Sequence, residues 1–197
     1  MNRKTRDRDV RDAVLRKVLA DHLADPRVLV VEELGLQHGS CRIDIAVVNG
    51  FLHGYELKSD SDTLERLPAQ VEAYSYALDR ATLVVGGNHL EAAEALLPSW
   101  WGIKVARNGK RGGVVIETHR AVGMNPCVSP YHLAHLLWRP EVAEILSARG
   151  VEGRQLRGNR RELYKLAADL IPLNELRLFV RESLKHRKGW RCPSLPL

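Results

Sequence analysis

Residues 42–58 have the sequence RIDIAVVNGFLHGYELK, and this stretch determines the predicted fold. Runs of β-branched and apolar residues flank Asn49-Gly50, a dipeptide typical of tight turns, so the stretch predicts a β-hairpin. Asp44 lies on its first strand, and Glu56 and Lys58 lie two residues apart on its second strand. Strand side chains alternate with a period of two, so Glu56 and Lys58 share one face. Charges among apolar neighbours require an ion pair, hydrogen bonds or a metal ion.

Two interpretations account for these charges. Mg²⁺ prefers carboxylate and carbonyl oxygens, so Asp44 and Glu56 could bind it together with a water molecule. Alternatively, Lys58 forms an ion pair with one of the carboxylates inside the sheet. Asp44 and Glu56 share a face only if the numbers of two residues directly opposite each other on the two strands add up to an even number. A strict two-residue turn would pair Val48 with Phe51, which gives an odd sum and places Asp44 and Glu56 on opposite faces. The metal-site interpretation therefore predicts a three-residue loop or a β-bulge. The irregularity would lie at Gly50, in the left-handed conformation, or at Gly54.

Residues further along the chain extend this pattern. Gln70 and Tyr74 are four apart on a predicted helix, so they lie on one face of it. The order of these residues along the chain is Asp44, then Glu56-Leu57-Lys58, then Gln70 and Tyr74. This order resembles the motifs of the PD-(D/E)XK nuclease superfamily, in its RecB-like branch. The resemblance covers roughly residues 9–120 by element order and is closest to a bacterial group of such proteins. Ile43 departs from the proline of the superfamily motif.

The resemblance implies a restriction-endonuclease-like α/β core, with a central mixed sheet flanked by helices. It also implies hydrolysis of phosphodiester bonds in nucleic acid, DNA in the first place, with Mg²⁺ or Mn²⁺ as cofactor. Asp44, Glu56 and the main-chain carbonyl of Leu57 would bind the metal. Lys58 would orient the attacking water, and Gln70 and Tyr74 would line the active site.

A third carboxylate is expected on the preceding strand. The β-rich residues 28–34 predict that strand, and Glu32 and Glu33 on it face opposite ways. We favour Glu33 as a metal ligand beside Asp44. The alternative is a salt bridge on an edge strand.

Composition and cysteine spacing exclude several classes of protein. The chain has 197 residues, of which 45% are hydrophobic and 27% charged, as in ordinary soluble proteins. No apolar run reaches the ~18–20 residues that cross a bilayer. The three cysteines are widely separated and include no CxxC pair, which argues against a disulfide framework and a structural zinc site. We therefore expect a cytoplasmic protein with reduced thiols and no membrane association.

Positive charge is concentrated late in the chain. Residues 149–191 carry twelve Arg or Lys against five acids, a net charge of +7 in a chain whose total is +6. This asymmetry predicts contact with nucleic-acid phosphates, and the candidate residues are Arg157, Arg160, Arg161 and Lys165. An acidic protein partner and a merely solvated helical face are the alternatives.

The domain organisation follows from the same pattern. We expect a nuclease-like domain over residues 1–123 and a helical basic module over residues 124–197, because Asn125-Pro126 and Ser129-Pro130 interrupt the alternation and only helices are predicted beyond them. Besides the nuclease, an accessory protein on the same fold is considered. It would bind nucleic acid without cleaving it, or dock an acidic partner through its C-terminal helices.

Local signals define several helices. The apolar stripe of residues 9–24 predicts an amphipathic first helix, and Asn159 and Asn174 are predicted to cap two late helices. His132 and His135 lie three apart on another predicted helix. Because no third ligand is nearby in the sequence, we expect them to form a polar helix edge and not a metal site.

Overall fold

The computed structural model describes residues 4–110 and 112–193. The strands in these residues are β1 (Leu29–Leu36), β2 (Cys41–Val48), β3 (Leu52–Lys58), β4 (Arg80–Gly86), β5 (Gly102–Asn108) and β6 (Val114–Arg120). They form one mixed sheet in sequence order. Strands β3, β4 and β5 pair in parallel, and the remaining neighbours pair antiparallel. The predicted α/β class with a central mixed sheet is therefore confirmed.

Helices cover both faces of the sheet. They are α1 (Asp7–Lys17), α2 (Ala20–Ala24), α3 (Leu67–Ala77), α4 (Leu90–Leu96), α5 (Pro130–Ala134), α6 (Arg139–Ser147), α7 (Arg160–Leu170) and α8 (Leu173–His186). The face against α1 buries one hydrophobic cluster, and the opposite face buries a second, larger cluster against α3 and α5–α8. This second cluster continues across residues 123 and 124, so the division into two domains stays a prediction. In the described part of the chain, each helix is too short or too polar to cross a bilayer.

In the β2–β3 hairpin, the numbers of paired residues add up to an even number, as the metal-site interpretation requires. Val48 pairs with Leu52 and Ile45 with Tyr55, which leaves a loop of three residues, 49–51. The predicted three-residue loop is thus confirmed. The predicted left-handed glycine is not found, since neither Gly50 nor Gly54 has a positive φ. The Asn49 side chain closes the loop instead, because its Oδ1 accepts the N–H of Phe51 at 2.9 Å.

Strands β1 and β2 share an irregularity at Glu33 and Asp44. Val31 and Leu34 pack in the same hydrophobic cluster, as do Ile43 and Ala46, although the members of each pair are three positions apart in the sequence. Alternation with a period of two would put them on opposite faces. Glu33 adopts a left-handed φ of 58°, and the residues on either side of it keep one register with β2. Each strand therefore shifts its alternation by one residue at the same level of the sheet.

Two of the predicted helix boundaries are wrong. Residues 9–24 do not form one helix, because the chain breaks between α1 and α2, where the buried Leu19 turns into the core. Asn159 does cap α7, as predicted, by accepting a backbone N–H through its side chain. Asn174 does not cap α8, because that helix begins after Pro172, whose fixed φ suits a helix start, and Asn174 lies inside the first turn.

Candidate functional site

Glu56 is the centre of a buried network of hydrogen bonds. Its side chain is only 1% exposed, and its Oε1 accepts bonds from the Lys58 ammonium and, at 2.6 Å, from Gln70 Nε2. Its Oε2 accepts a bond from the Tyr74 hydroxyl, which also contacts the carbonyl of Arg42 at 3.1 Å. Burial, followed by the charge of Glu56, raises the pKa of Tyr74 well above its usual value. Tyr74 therefore stays protonated and donates to Glu56.

Asp44 lies beside this network at the point where β2 stops pairing with β3. Its Oδ2 accepts the backbone N–H of Leu57 at 2.8 Å, so the carboxylate replaces a ladder hydrogen bond. Burial and then the charge of Glu56 raise the pKa of Asp44 to about 7, although the Leu57 N–H and the positive charges of Arg11 and Lys58 oppose the shift. Asp44 therefore keeps its proton to a higher pH than a solvent-exposed carboxyl group does.

Arg11 of α1 was not among the predicted site residues, yet it joins the carboxylates of the two strands. Its guanidinium lies 3.2 Å from Glu32, 3.9 Å from Glu33 and 3.7 Å from Asp44. The salt bridge considered for the edge strand β1 is therefore present, and it involves both glutamates. No motif in the sequence pointed to Arg11, because it is distant along the chain from these carboxylates and meets them only when α1 packs on the sheet.

These groups line an open cleft of about 740 Å³. The acidic residues lining it are Asp7, Glu33, Asp44, Glu56, Asp62 and Glu72, and the basic ones are Arg42, Lys58 and Arg66. Every residue predicted for the active site except Tyr74, which is fully buried behind Glu56, borders this cleft. We call it the acidic cleft.

The donor set of the acidic cleft does not fit a metal ion as it stands. Both oxygens of Glu56 already accept hydrogen bonds, and one of them contacts the ammonium of Lys58. Asp44 uses one oxygen for Leu57. Within residues 4–110 and 112–193, no group of three or more His, Cys, Asp or Glu side chains is arranged to hold a metal. A Mg²⁺ or Mn²⁺ ion would compete with Lys58, Gln70 and Tyr74 for the oxygens of Glu56, and metal binding stays a prediction.

The second charged region is basic. Several of the late arginines are paired with acids inside the protein: Arg149 with Glu175, Arg177 and Arg181 with Asp79, and Arg187 with Glu141. Arg157, Arg160, Arg161 and Lys165 are exposed instead, and none of them has a salt-bridge partner among the described residues. They lie on α7 and the turn before it. We call these four residues the basic face.

Together, these observations define an α/β protein with an acidic cleft, in which the buried Glu56 accepts hydrogen bonds from three donors, and a separate basic face. The chain belongs to the family described as Bacteriophage P4 protein cII, whose model matches residues 1–191. A curated relative, Protein cII of Enterobacteria phage P4, is 26% identical over 162 residues, which cover 80% of this chain. The chain spans 59% of the length of that relative. No solved structure matches the chain.

Membership in this family corrects the resemblance drawn from the motifs. The assignment to the PD-(D/E)XK superfamily is wrong, and with it the predictions of a magnesium-dependent nuclease and of hydrolase activity. Residue types and spacing brought Asp44, Glu56, Lys58, Gln70 and Tyr74 together correctly in space. They could not show that Lys58, Gln70 and Tyr74 all donate hydrogen bonds to Glu56. The roles given to the individual residues stay predictions.

Proposed function

We propose that this protein binds nucleic acid without cleaving it, and that the basic face makes the contact. The observation that carries the proposal is the set of four exposed cations without acidic partners at Arg157, Arg160, Arg161 and Lys165. Closely spaced cations release counterions from a phosphate backbone when they bind it, which is the main source of affinity in such complexes. Contacts of this kind position the protein and read no sequence.

The helix that presents three of the four cations, α7, is well defined. Asn159 accepts the N–H of Glu162, and Glu162 accepts the N–H of Asn159, so the two residues form a capping box. This exchange also occupies a Glu162 oxygen that would otherwise be free to pair with Arg160 or Arg161. The buried Leu163 and Tyr164 hold α7 against the core. The cations therefore project from a fixed surface.

On this proposal the sheet and its acidic cleft are a scaffold. The restriction-endonuclease-like arrangement of that scaffold, which the sequence motifs suggested, remains part of the proposal. An acidic cleft repels phosphates, and Glu56 and Lys58 neutralise each other inside it. The ion pair holds β3 against α3 through Gln70 and Tyr74. Its contribution is to the stability of the protein.

Salt dependence tests the proposal. Binding to a fluorescent duplex and to a single strand of equal length is measured from 50 to 300 mM salt with EDTA present. We expect the logarithm of affinity to fall linearly with the logarithm of salt concentration. Neutralising Arg157, Arg160, Arg161 and Lys165 with glutamine should reduce the slope by about 0.9 per lost contact for duplex and about 0.7 for a single strand.

A matched control removes the same charge elsewhere. Lys4, Arg6, Arg8 and Lys110 are all exposed, and their replacement by glutamine lowers the net charge equally. We expect this control variant to keep most of the wild-type slope. An unchanged slope in the basic-face variant, or an affinity independent of salt, would favour docking of an acidic protein partner instead.

A further inference from the structure

A row of aromatic rings crosses the surface next to the basic face. His38 stacks on His135 with ring centroids 4.7 Å apart, and His135 contacts Tyr131 at 4.5 Å. Tyr131 contacts His132 at 5.4 Å, and His132 stacks on Tyr76 at 4.5 Å. Three elements that are distant in sequence supply these rings: the turn after β1, helix α5 and helix α3. No local motif signals such a row, which is why the sequence indicated only His132 and His135.

The outer end of the row is His38, on a strained turn. Gln37, His38 and Gly39 all have positive φ, at 47°, 60° and 91°. Left-handed conformations are costly for Gln37 and His38, and strained residues of this kind are concentrated at ligand-binding sites. His38 is exposed, and its ring stacks on His135 and lies 5.7 Å from the ring of the buried Tyr164.

The His135 ring behind His38 is uncharged. Both ring nitrogens of His135 are buried and have no hydrogen-bond partner among the described residues. Burial, helped by His38, His132 and Arg161, lowers the pKa of His135 to about 4, so the ring is neutral at pH 7. A neutral ring offers a stacking surface without attracting phosphate by itself.

Cations of the basic face flank the row. Tyr131, Arg161 and Lys165 line a surface cavity of about 450 Å³, whose rim also includes the carboxylates of Glu162 and Asp169. Glu162 is already engaged in the capping box of α7. Flat rings beside cations are the combination that holds a single nucleic-acid strand, because bases stack on the rings while phosphates contact the cations. A duplex keeps its bases stacked on one another and cannot use the rings.

We infer that an unpaired base stacks on the exposed ring of His38 and extends the ring row, so that the ligand of the basic face is single-stranded nucleic acid. This inference rests on the proposed nucleic-acid binding by the same face. It adds the class of ligand that the face accepts. Arg161 and Lys165 contact phosphates beside the stacked base.

The experiment compares two strands of equal charge. One is a single-stranded oligothymidine of 20 nucleotides, and the other is an abasic strand with the same number of phosphates. Fluorescence anisotropy with EDTA present measures binding to the wild type and to His38→Gly, a substitution that suits the left-handed backbone and removes the ring. His38→Phe retains a ring, and His119→Ala removes an exposed histidine from strand β6 as a control.

We expect the wild type to bind the thymidine strand about 5- to 150-fold more tightly than the abasic strand, the range for one stacked base. His38→Gly should lose most of this advantage and bind the abasic strand as before, while His38→Phe and His119→Ala should keep it. Equal, salt-dependent affinity of the wild type for both strands would overturn the stacking inference and leave the proposed function intact. Absence of salt-dependent binding to either strand would overturn the proposed function itself.

If His38→Gly weakens binding to the abasic strand as well, the loss has another cause than stacking, and the inference is overturned. Thermal melting of each variant accompanies the titrations. A melting temperature equal to that of the wild type shows that His38→Gly is folded. His38→Phe then shows whether the loss of binding in His38→Gly comes from the missing ring or from the changed backbone, because it keeps a ring and also keeps the strained φ.

Discussion

The acidic cleft and the basic face differ in how their charges are satisfied. In the cleft, Glu56 accepts hydrogen bonds from Lys58, Gln70 and Tyr74, and Arg11 lies among Glu32, Glu33 and Asp44. On the basic face, the four cations have no acidic partner among the described residues. The cleft holds the residues that led to the incorrect nuclease assignment, whereas the basic face matches no motif.

The difference shows that a charged group is available to a ligand only if it has no partner inside the protein, whatever its residue type. Desolvating an ionised group is costly unless a partner compensates for it. Groups that compensate one another inside the protein have already used their interactions. Exposed cations without partners retain theirs, and four of them on one surface attract a polyanion.

Lys58→Met should have the largest effect on stability. The substitution keeps the apolar stem and removes the ammonium, which leaves the buried Glu56 without its cation. We expect a loss of about 3–5 kcal/mol in the free energy of unfolding, measured by urea denaturation with EDTA present. The double variant Glu56→Gln/Lys58→Met should recover part of the loss, because no charge then remains unpaired. Wild-type stability in Lys58→Met would mean that the pair in the cleft is not saturated.

Asp44→Asn should show the next largest effect, and the effect should depend on pH. The folded protein raises the pKa of Asp44 from 3.8 to about 7, so between these values the folded state holds a proton that the unfolded state has released. The wild type therefore loses stability through this group as pH rises from about 4 to about 7. Asp44→Asn cannot titrate, so its advantage over the wild type should grow across that window to the order of 2–4 kcal/mol.

Unfolding curves of both proteins at pH 4.5, 6 and 8 provide the measurement. Arg11→Gln is a useful companion variant, because loss of the guanidinium should raise the pKa of Asp44 further. A stability difference between Asp44→Asn and the wild type that does not vary with pH would contradict the raised pKa.

Asn159→Ala should have a smaller effect, on the helix that carries the basic face. Loss of an N-cap costs about 1 kcal/mol, and the cap of α7 is present. Asn174→Ala is the matched control, since sequence reasoning predicted the same role for both residues but Asn174 lies inside α8. We expect its effect to stay within about 0.5 kcal/mol. Equal losses in both variants would contradict the helix start at Leu173.

Metal ions should have the smallest effect of all. Because Lys58, Gln70 and Tyr74 compete with a metal for the oxygens of Glu56, we expect millimolar Mg²⁺ or Mn²⁺ to leave the melting temperature of the wild type unchanged. A bound metal would stabilise the folded state by mass action, about 2.7 kcal/mol at 100 times its dissociation constant. A melting temperature that rises with metal in the wild type, but not in Glu56→Gln, would restore the predicted metal site.

Local sequence signals were sufficient for several elements of the fold. Runs of β-branched and apolar residues predicted β1, β2 and β3, and Asn159 predicted the start of α7. The even register of the hairpin also followed from sequence, because only that parity brings Asp44 and Glu56 together. Asn174 failed as a cap because Pro172 begins the helix earlier, a competition between two valid local signals.

The interactions of the site were beyond such signals. Arg11 reaches the carboxylates from α1, and His38 meets His135 across almost a hundred residues of chain. Such contacts depend on how the elements pack, and no spacing within one element encodes them. For the same reason, the sequence could not distinguish a metal site at Glu56 from the ion pair with Lys58.

The irregularity at Glu33 and Asp44 is equivalent to one extra residue inserted into each of two paired strands at the same level of the sheet. Without these two residues, Val31 and Leu34 on β1, and Ile43 and Ala46 on β2, would alternate regularly. Deleting both residues should therefore preserve the pairing of β1 with β2, whereas deleting either one alone should turn the flanking apolar side chains to the wrong face. In the history of such a sheet, a pair of acidic residues could be gained or lost together without refolding the strands that carry them.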